Sequence, residues 1–216
     1  MDQERPIRRA ASLLCGKDEA DGLQILVVER GAGSRFLAGY VAFPGGAVDE
    51  DDEILASRWF GDAGQAHRAA AIRELAEETG LALTSTGGVP APAADHLGPV
   101  HTSPPAPGDL PEVCHWIAPP DVPVRFDARY FAAALKGAPD PVPDGTETAA
   151  AWWTTPAALL EEWGAGDRRL YWPTYLTVLH LSGCGSVADL LALSFVTRDP
   201  TAVEEATLPP SVMEDR

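Results

Sequence analysis

Positive charge is scarce in this chain. Its 16 lysines and arginines stand against 32 aspartates and glutamates, for a formal net charge of −16. Only Lys17 and Lys136 are lysines, and there is no basic run. Such a surface repels nucleic acid and anionic lipid, so neither is expected as a partner. Cysteine is also rare. Cys15, Cys114 and Cys184 are odd in number, far apart and in no CxxC pair, which argues against a zinc site or a disulfide framework. Long apolar runs are missing, which leaves no membrane-spanning helix to expect. The start, MDQERPIRRAA, lacks a secretory apolar segment, and the final residues match no retrieval address. A cytoplasmic protein is expected.

With 45% hydrophobic residues over 216 positions, the chain can bury a substantial core. One domain over 1–199 is expected, followed by an acidic tail over 200–216. The runs Arg8–Leu14 and Leu23–Val28 read as paired strands, followed by a glycine-rich loop and a short strand, YVAF. Glu50–Phe60 is a candidate short helix. Gln65–Thr79, rich in Ala, Leu and Glu, reads as a helix stopped by Gly80. The Pro- and Gly-dense stretch from Thr84 to Asp109 reads as a long loop. Strands are expected near Glu112–Ile117, Ala128–Leu135 and Thr148–Thr154. Helices are expected at Pro156–Trp163, Pro173–Leu181 and Val187–Leu193. The pattern is that of an α/β fold with a mixed sheet flanked by helices.

The helix at Gln65–Thr79 carries the chemistry. With Glu74 set at zero, Glu78 lies about 40° to one side and Glu77 about 60° to the other, while Ile72, Leu75 and Ala76 face away. Three like charges on one face repel each other. Two readings account for them: a solvated face of an acidic protein, or a site for a hard divalent cation with oxygen ligands.

The flanking residues bear on that choice. Phe43-Pro44-Gly45-Gly46 precedes the helix, and Arg73, Glu74, Leu75, Glu77, Glu78, Gly80 and Leu81 run through its end. This resembles the Nudix box, Gx5Ex7REUxEExGU with U aliphatic. Gly46 lies about 27 residues before Arg73 where the pattern has 14, implying an insertion of 13 at about 50–64. The glutamate position, counted back from Arg73, falls on Gln65; Asp49 and Glu50 are the candidates to stand in. Trp59 and Phe60, inside the insertion, should pack on the body or line a substrate wall.

The resemblance implies a Nudix α/β/α sandwich that hydrolyses a diphosphate. Glu74, Glu77 and Glu78 would hold magnesium or manganese, with the Gly46 carbonyl as a further ligand. Glu74 would act on the attacking water, with Glu147 as an alternative base. Arg73 would orient the carboxylates through charge-assisted hydrogen bonds.

The residues before the box narrow the substrate. Leu26-Val27-Val28-Glu29-Arg30, Gly31, Arg35, Gly39 and FPGG are similar to the signature of coenzyme A diphosphatases, LLTxR[SA]x3Rx3Gx3FPGG. Val27, Val28 and Gly31 depart from it. The resemblance implies that Arg30 and Arg35, with Gly39 and Gly45, hold the phosphates of coenzyme A or an acyl-CoA. Arg125–Phe131 and Trp172-Pro173-Thr174 are similar to segments of acyl-CoA-type members. Rival readings are the same chemistry on ADP-ribose or NADH, and a non-catalytic nucleotide-sensing module. A homodimer is compatible with all of them.

Overall fold

The computed structural model describes residues 7–33, 37–118 and 125–197. Arg35 and the 200–216 tail lie outside them. Ten strands and six α-helices occur among the described residues. Strand β1 (Ile7–Glu19) turns tightly into β2 (Gly22–Arg30), and both run longer than their apolar cores suggest. Strands β3 (Tyr40–Ala42) and β4 (Gly45–Ala47) follow, then α1 (Glu50–Phe60) and α2 (Ala66–Thr79). Beyond them come β7 (Glu112–Ile117), β8 (Arg125–Ala134), β9 (Thr148–Thr154), α4 (Pro156–Ala165), the two-residue β10 (Arg169–Leu170), α5 (Trp172–Leu181) and α6 (Val187–Ala192).

The expectation of a long loop over Thr84–Asp109 is corrected. Strand β5 (Leu81–Thr84) forms a hairpin with β6 (Gly87–Pro90), and the short helix α3 (Gly98–Thr102) follows. Gly87 supplies the turn at φ 124°. Prolines and glycines here punctuate small elements rather than preventing them.

The main sheet is mixed. Its order is β10-β3-β2-β1-β8-β7, with β4 also on β1 and β9 also on β2. β1 lies parallel to β8 and antiparallel to β2 and β4. Its strands are apolar on both faces because both faces are covered. Leu13, Cys15, Leu26, Phe131 and Ala133 pack under α1, α2 and α3. Their neighbours Leu14, Ile25, Val27, Tyr130 and Ala132 pack under α4, α5 and α6. That alternation is the two-residue period of a strand read twice.

Helix α2 approaches the sheet closely because its inner positions are small: Ala66, Ala69, Ala70, Ala71 and Ala76 are all buried. Gly80 ends it in the left-handed region at φ 64°, its N–H donating to the Ala76 carbonyl. Helix α1 docks on α2 through Ala56 and Trp59, and the Trp59 indole donates to His101 Nδ1 at 2.8 Å. Among the described residues, no helix is long and apolar enough to cross a membrane.

Phe131 is the largest fully buried side chain between the sheet and α2. Phe131→Ala should cost about 3–5 kcal/mol, read as a fall in the denaturant midpoint with an unchanged m-value.

Candidate active site

Helix α2 presents Glu74 and Glu78 to a cleft of about 470 Å3 on the α5 side of β1. The cleft reaches them across the turn that ends β3. There Gly45 and Gly46 lie in β4, paired with Ser12 and Ala11 of β1. Both glycines are needed for fit. A Cβ on Gly45 would meet Ser12, and one on Gly46 would run into the Glu74 carboxylate. The carboxylates therefore lie directly against the β4 backbone, and Glu78 Oε2 accepts the Gly45 N–H at 3.0 Å.

The solvated-face reading of the acidic helix fails here. Glu78 is 7% exposed. Burial, reinforced by the nearby Glu74, pushes its carboxyl up to about 8 despite the Gly45 hydrogen bond. Burial likewise raises Glu74 to about 7, against the pull of Arg73. Two carboxylates kept out of water beside each other, with hard oxygen donors facing a cleft, fit a divalent cation that would compensate them.

Glu77 is placed differently. Its carboxylate accepts Arg73 Nη1 at 2.8 Å and lies 3.3 Å from His96 Nε2. Among the described residues no three acidic, histidine or cysteine side chains converge as a metal cluster. The expected trio thus divides into a cleft pair, Glu74 and Glu78, and an outer carboxylate tied to Arg73.

Arg73 is the centre of the supporting network. It grips Asp52 through Nε at 2.9 Å and Nη2 at 3.0 Å, and donates to Glu74 at 2.9 Å and the Ala47 carbonyl at 3.0 Å. Burial works against its charge, but the Asp52 hydrogen bonds and the charges of Glu74, Asp52 and Glu77 outweigh it, so its pKa is raised. Asp52 is fully buried and also accepts the Asp49 N–H at the start of α1.

The expected stand-ins are corrected accordingly. Asp49 reaches Arg73 only at 4.0 Å, and no ion pair joins Glu50 to Arg73 among the described residues. Gln65 bonds Asp62 and Arg68 instead. Asp52 was missed by counting backward from Arg73. It is the sixth residue after Gly46, the separation at which the box pattern has its glutamate, so counting forward would have found it.

The remaining site residues fall mostly in one place. Arg30 and Glu147 line the cleft, and both act on Glu78. Glu147 sits on a loop wound around Asp144, which accepts from the N–H groups of Glu147 and Thr148. The Arg30 carbonyl accepts the N–H of Gly39 at 2.8 Å, closing their loop, and Gly39 turns at φ 78°. Phe126, Ala128 and Tyr130 of β8 and Trp172, Pro173 and Thr174 of α5 also line the cleft. Asp127 and Arg129 alternate with them and pair instead with His115 and Glu112 on β7. Trp59 and Phe60 pack near α2 and α3 and do not line the cleft. Trp116 of β7 lines it.

Residues 6–172 match the NUDIX domain. The chain belongs to the Nudix hydrolase family. A NUDIX hydrolase from Alicyclobacillus acidocaldarius is 30% identical, with 88% of this chain and 97% of that one superposed at a TM-score of 0.76. The NUDIX domain of Shewanella oneidensis NrtR, solved with ADP ribose, shares the fold at 14% identity and a TM-score of 0.51, over 81% of this chain and 86% of its own. A curated Caenorhabditis elegans protein assigned to the nudix hydrolases is 38% identical over 64 residues, 30% of this chain and 19% of its own length. The present chain thus spans about a fifth of that relative.

Asp52→Asn leaves Arg73 short of its buried partner and should cost about 3 kcal/mol of stability, measured by chemical denaturation. Glu78 carries a raised carboxyl, so without metal the folded state holds a proton that the unfolded chain releases. Its stabilising contribution is then present at low pH and lost as pH rises through about 8. The thermal midpoint of chelator-treated protein should fall as pH is raised from about 5 to 8, and Glu78→Gln should flatten that slope.

Proposed function

We propose that the protein hydrolyses the diphosphate bond of coenzyme A or an acyl-CoA, with magnesium or manganese, yielding adenosine 3′,5′-bisphosphate and (acyl-)4′-phosphopantetheine. The observation that carries this reading is the presence of Arg30 in the same cleft as Glu74 and Glu78, joined by the Arg30–Gly39–FPGG spacing that resembles the coenzyme A signature. A guanidinium fork matches phosphate geometry. On this reading the 13 extra residues begin after Asp52, which keeps its place beside Arg73.

Glu74 and Glu78 would hold the cation, with the Gly46 backbone beside them. The chemistry such a cation supplies is neutralisation of diphosphate charge and a lowered pKa for water. The chain itself does the rest. Arg73 fixes Glu74, and the Gly45 N–H fixes Glu78. Arg30 binds and orients a substrate phosphate. Water adds its oxygen to one phosphorus, and the bridging P–O bond breaks. Glu147 takes the proton that water gives up, since Glu74 is committed to Arg73. The aromatic walls of Phe126, Tyr130 and Trp172 restrict bulk water.

The test is a screen of coenzyme A, acyl-CoAs, ADP-ribose and NADH with magnesium, with product identification. Coenzyme A or an acyl-CoA should give the highest kcat/KM and release adenosine 3′,5′-bisphosphate. Preference for ADP-ribose or NADH would refute the substrate assignment, and no turnover of any would leave a sensing module. Glu78→Gln should lower turnover by about two orders of magnitude or more. Glu147→Gln should lower kcat while leaving the magnesium requirement little changed.

A further inference from the structure

We infer that Arg8 is a specificity-determining residue, reading a second phosphate carried on the nucleoside portion of the substrate. The inference rests on the diphosphate reading above and adds a recognition point at the far end of the same cleft. Strand β1 forms part of the cleft floor. Ser12, Ala10 and Arg8 share one face of it because alternate residues of a strand do, and all three line the cleft. Ser12 pairs with Gly45 at the carboxylate end. Arg8 pairs with Phe126 at the other. The four-residue step between them spans about 13 Å of extended chain.

Between these ends the floor is low. Ala10 lies beside Ala128 in register, and neither side chain fills the space above. Phe126 stands beside Arg8 and Trp116 opposite Ala128; both line the cleft and offer aromatic surfaces suited to a base or another planar group. Arg30 is close enough to Glu78 to oppose its burial, so it serves the scissile end. Arg8 is not among the leading influences on either carboxylate.

Arg8 is also free to engage a ligand. Its neighbour Arg9, on the opposite face, is paired with Glu53 at 3.1 Å. Arg8 is exposed and makes no hydrogen bond or ion pair among the described residues, in a chain with twice as many acids as bases. A guanidinium at the end of the cleft away from Arg30 and the carboxylates, with no hydrogen bond or ion pair among the described residues, selects a ligand with a distal anion. The fork of the side chain suits a phosphate.

Calorimetric titration of adenosine 3′,5′-bisphosphate and of AMP, with magnesium, into the wild type and Arg8→Ala tests this without depending on turnover. The wild type should prefer the bisphosphate by about tenfold or more, and Arg8→Ala should bring the two nucleotides close to parity. No preference in the wild type, or the same preference in the variant, would overturn the inference. Failure of the substrate reading is separately visible. If the wild type does not cut coenzyme A yet loses its bisphosphate preference with Arg8, the hydrolysis assignment falls and Arg8 stands. If coenzyme A is cut and the preference is independent of Arg8, the reverse holds.

Discussion

The grip of Arg73 on Asp52 ties together the parts from which the site is made. One guanidinium reaches the start of α1, the backbone of β4 at Ala47 and the carboxylates of α2. Asp52 has no contact with solvent, and a buried charge without its partner is costly. The interaction therefore holds helix, turn and strand in a single arrangement. With that arrangement fixed, Gly46 can lie against Glu74, and Glu78 can accept the Gly45 N–H. The carboxylate pair is placed by this framework against the mutual repulsion of its two charges.

The sheet supplies the other half of the geometry. The alternation along β1 sends Leu13 and Cys15 to the core under α2 and turns Arg8, Ala10 and Ser12 to the cleft, with Ala11 touching both. The same division on β8 sends Phe126, Ala128 and Tyr130 to the cleft. It sends Asp127 and Arg129 to cross-strand pairs with His115 and Glu112. The cleft is thus lined by alternate positions of β8, whose other positions hold the sheet together.

The overall acidity and an anionic substrate are reconciled locally. Cationic and apolar groups line the cleft alongside the carboxylates, with Arg30 and Arg8 both at its surface. The acidic first turn of α1, by contrast, lies at its own helix N-terminus, where negative charge is favourable. Chain-wide charge sets the character of the bulk surface, but it does not describe the cleft.

Much of the fold was legible along the chain. Helix α2, its Gly80 stop, β7 and β9 fall where local pattern puts them, because propensity, capping and apolar period agree there. The family was legible from Arg73–Leu81 and FPGG. The hairpin β5–β6 was not, since its prolines and glycines read as loop until the main chain pairs. Nor was Asp52, one acid among five consecutive acids from Asp49 to Glu53. Sequence determined which residues could carry charge to the site. Only the tertiary structure decided which did: it buried Asp52 against Arg73, turned Glu77 outward and set Glu74 beside Glu78. Burial and long-range hydrogen bonding depend on contacts between segments far apart in sequence, such as Gly45 and Glu78, 33 residues apart, and local pattern does not encode them.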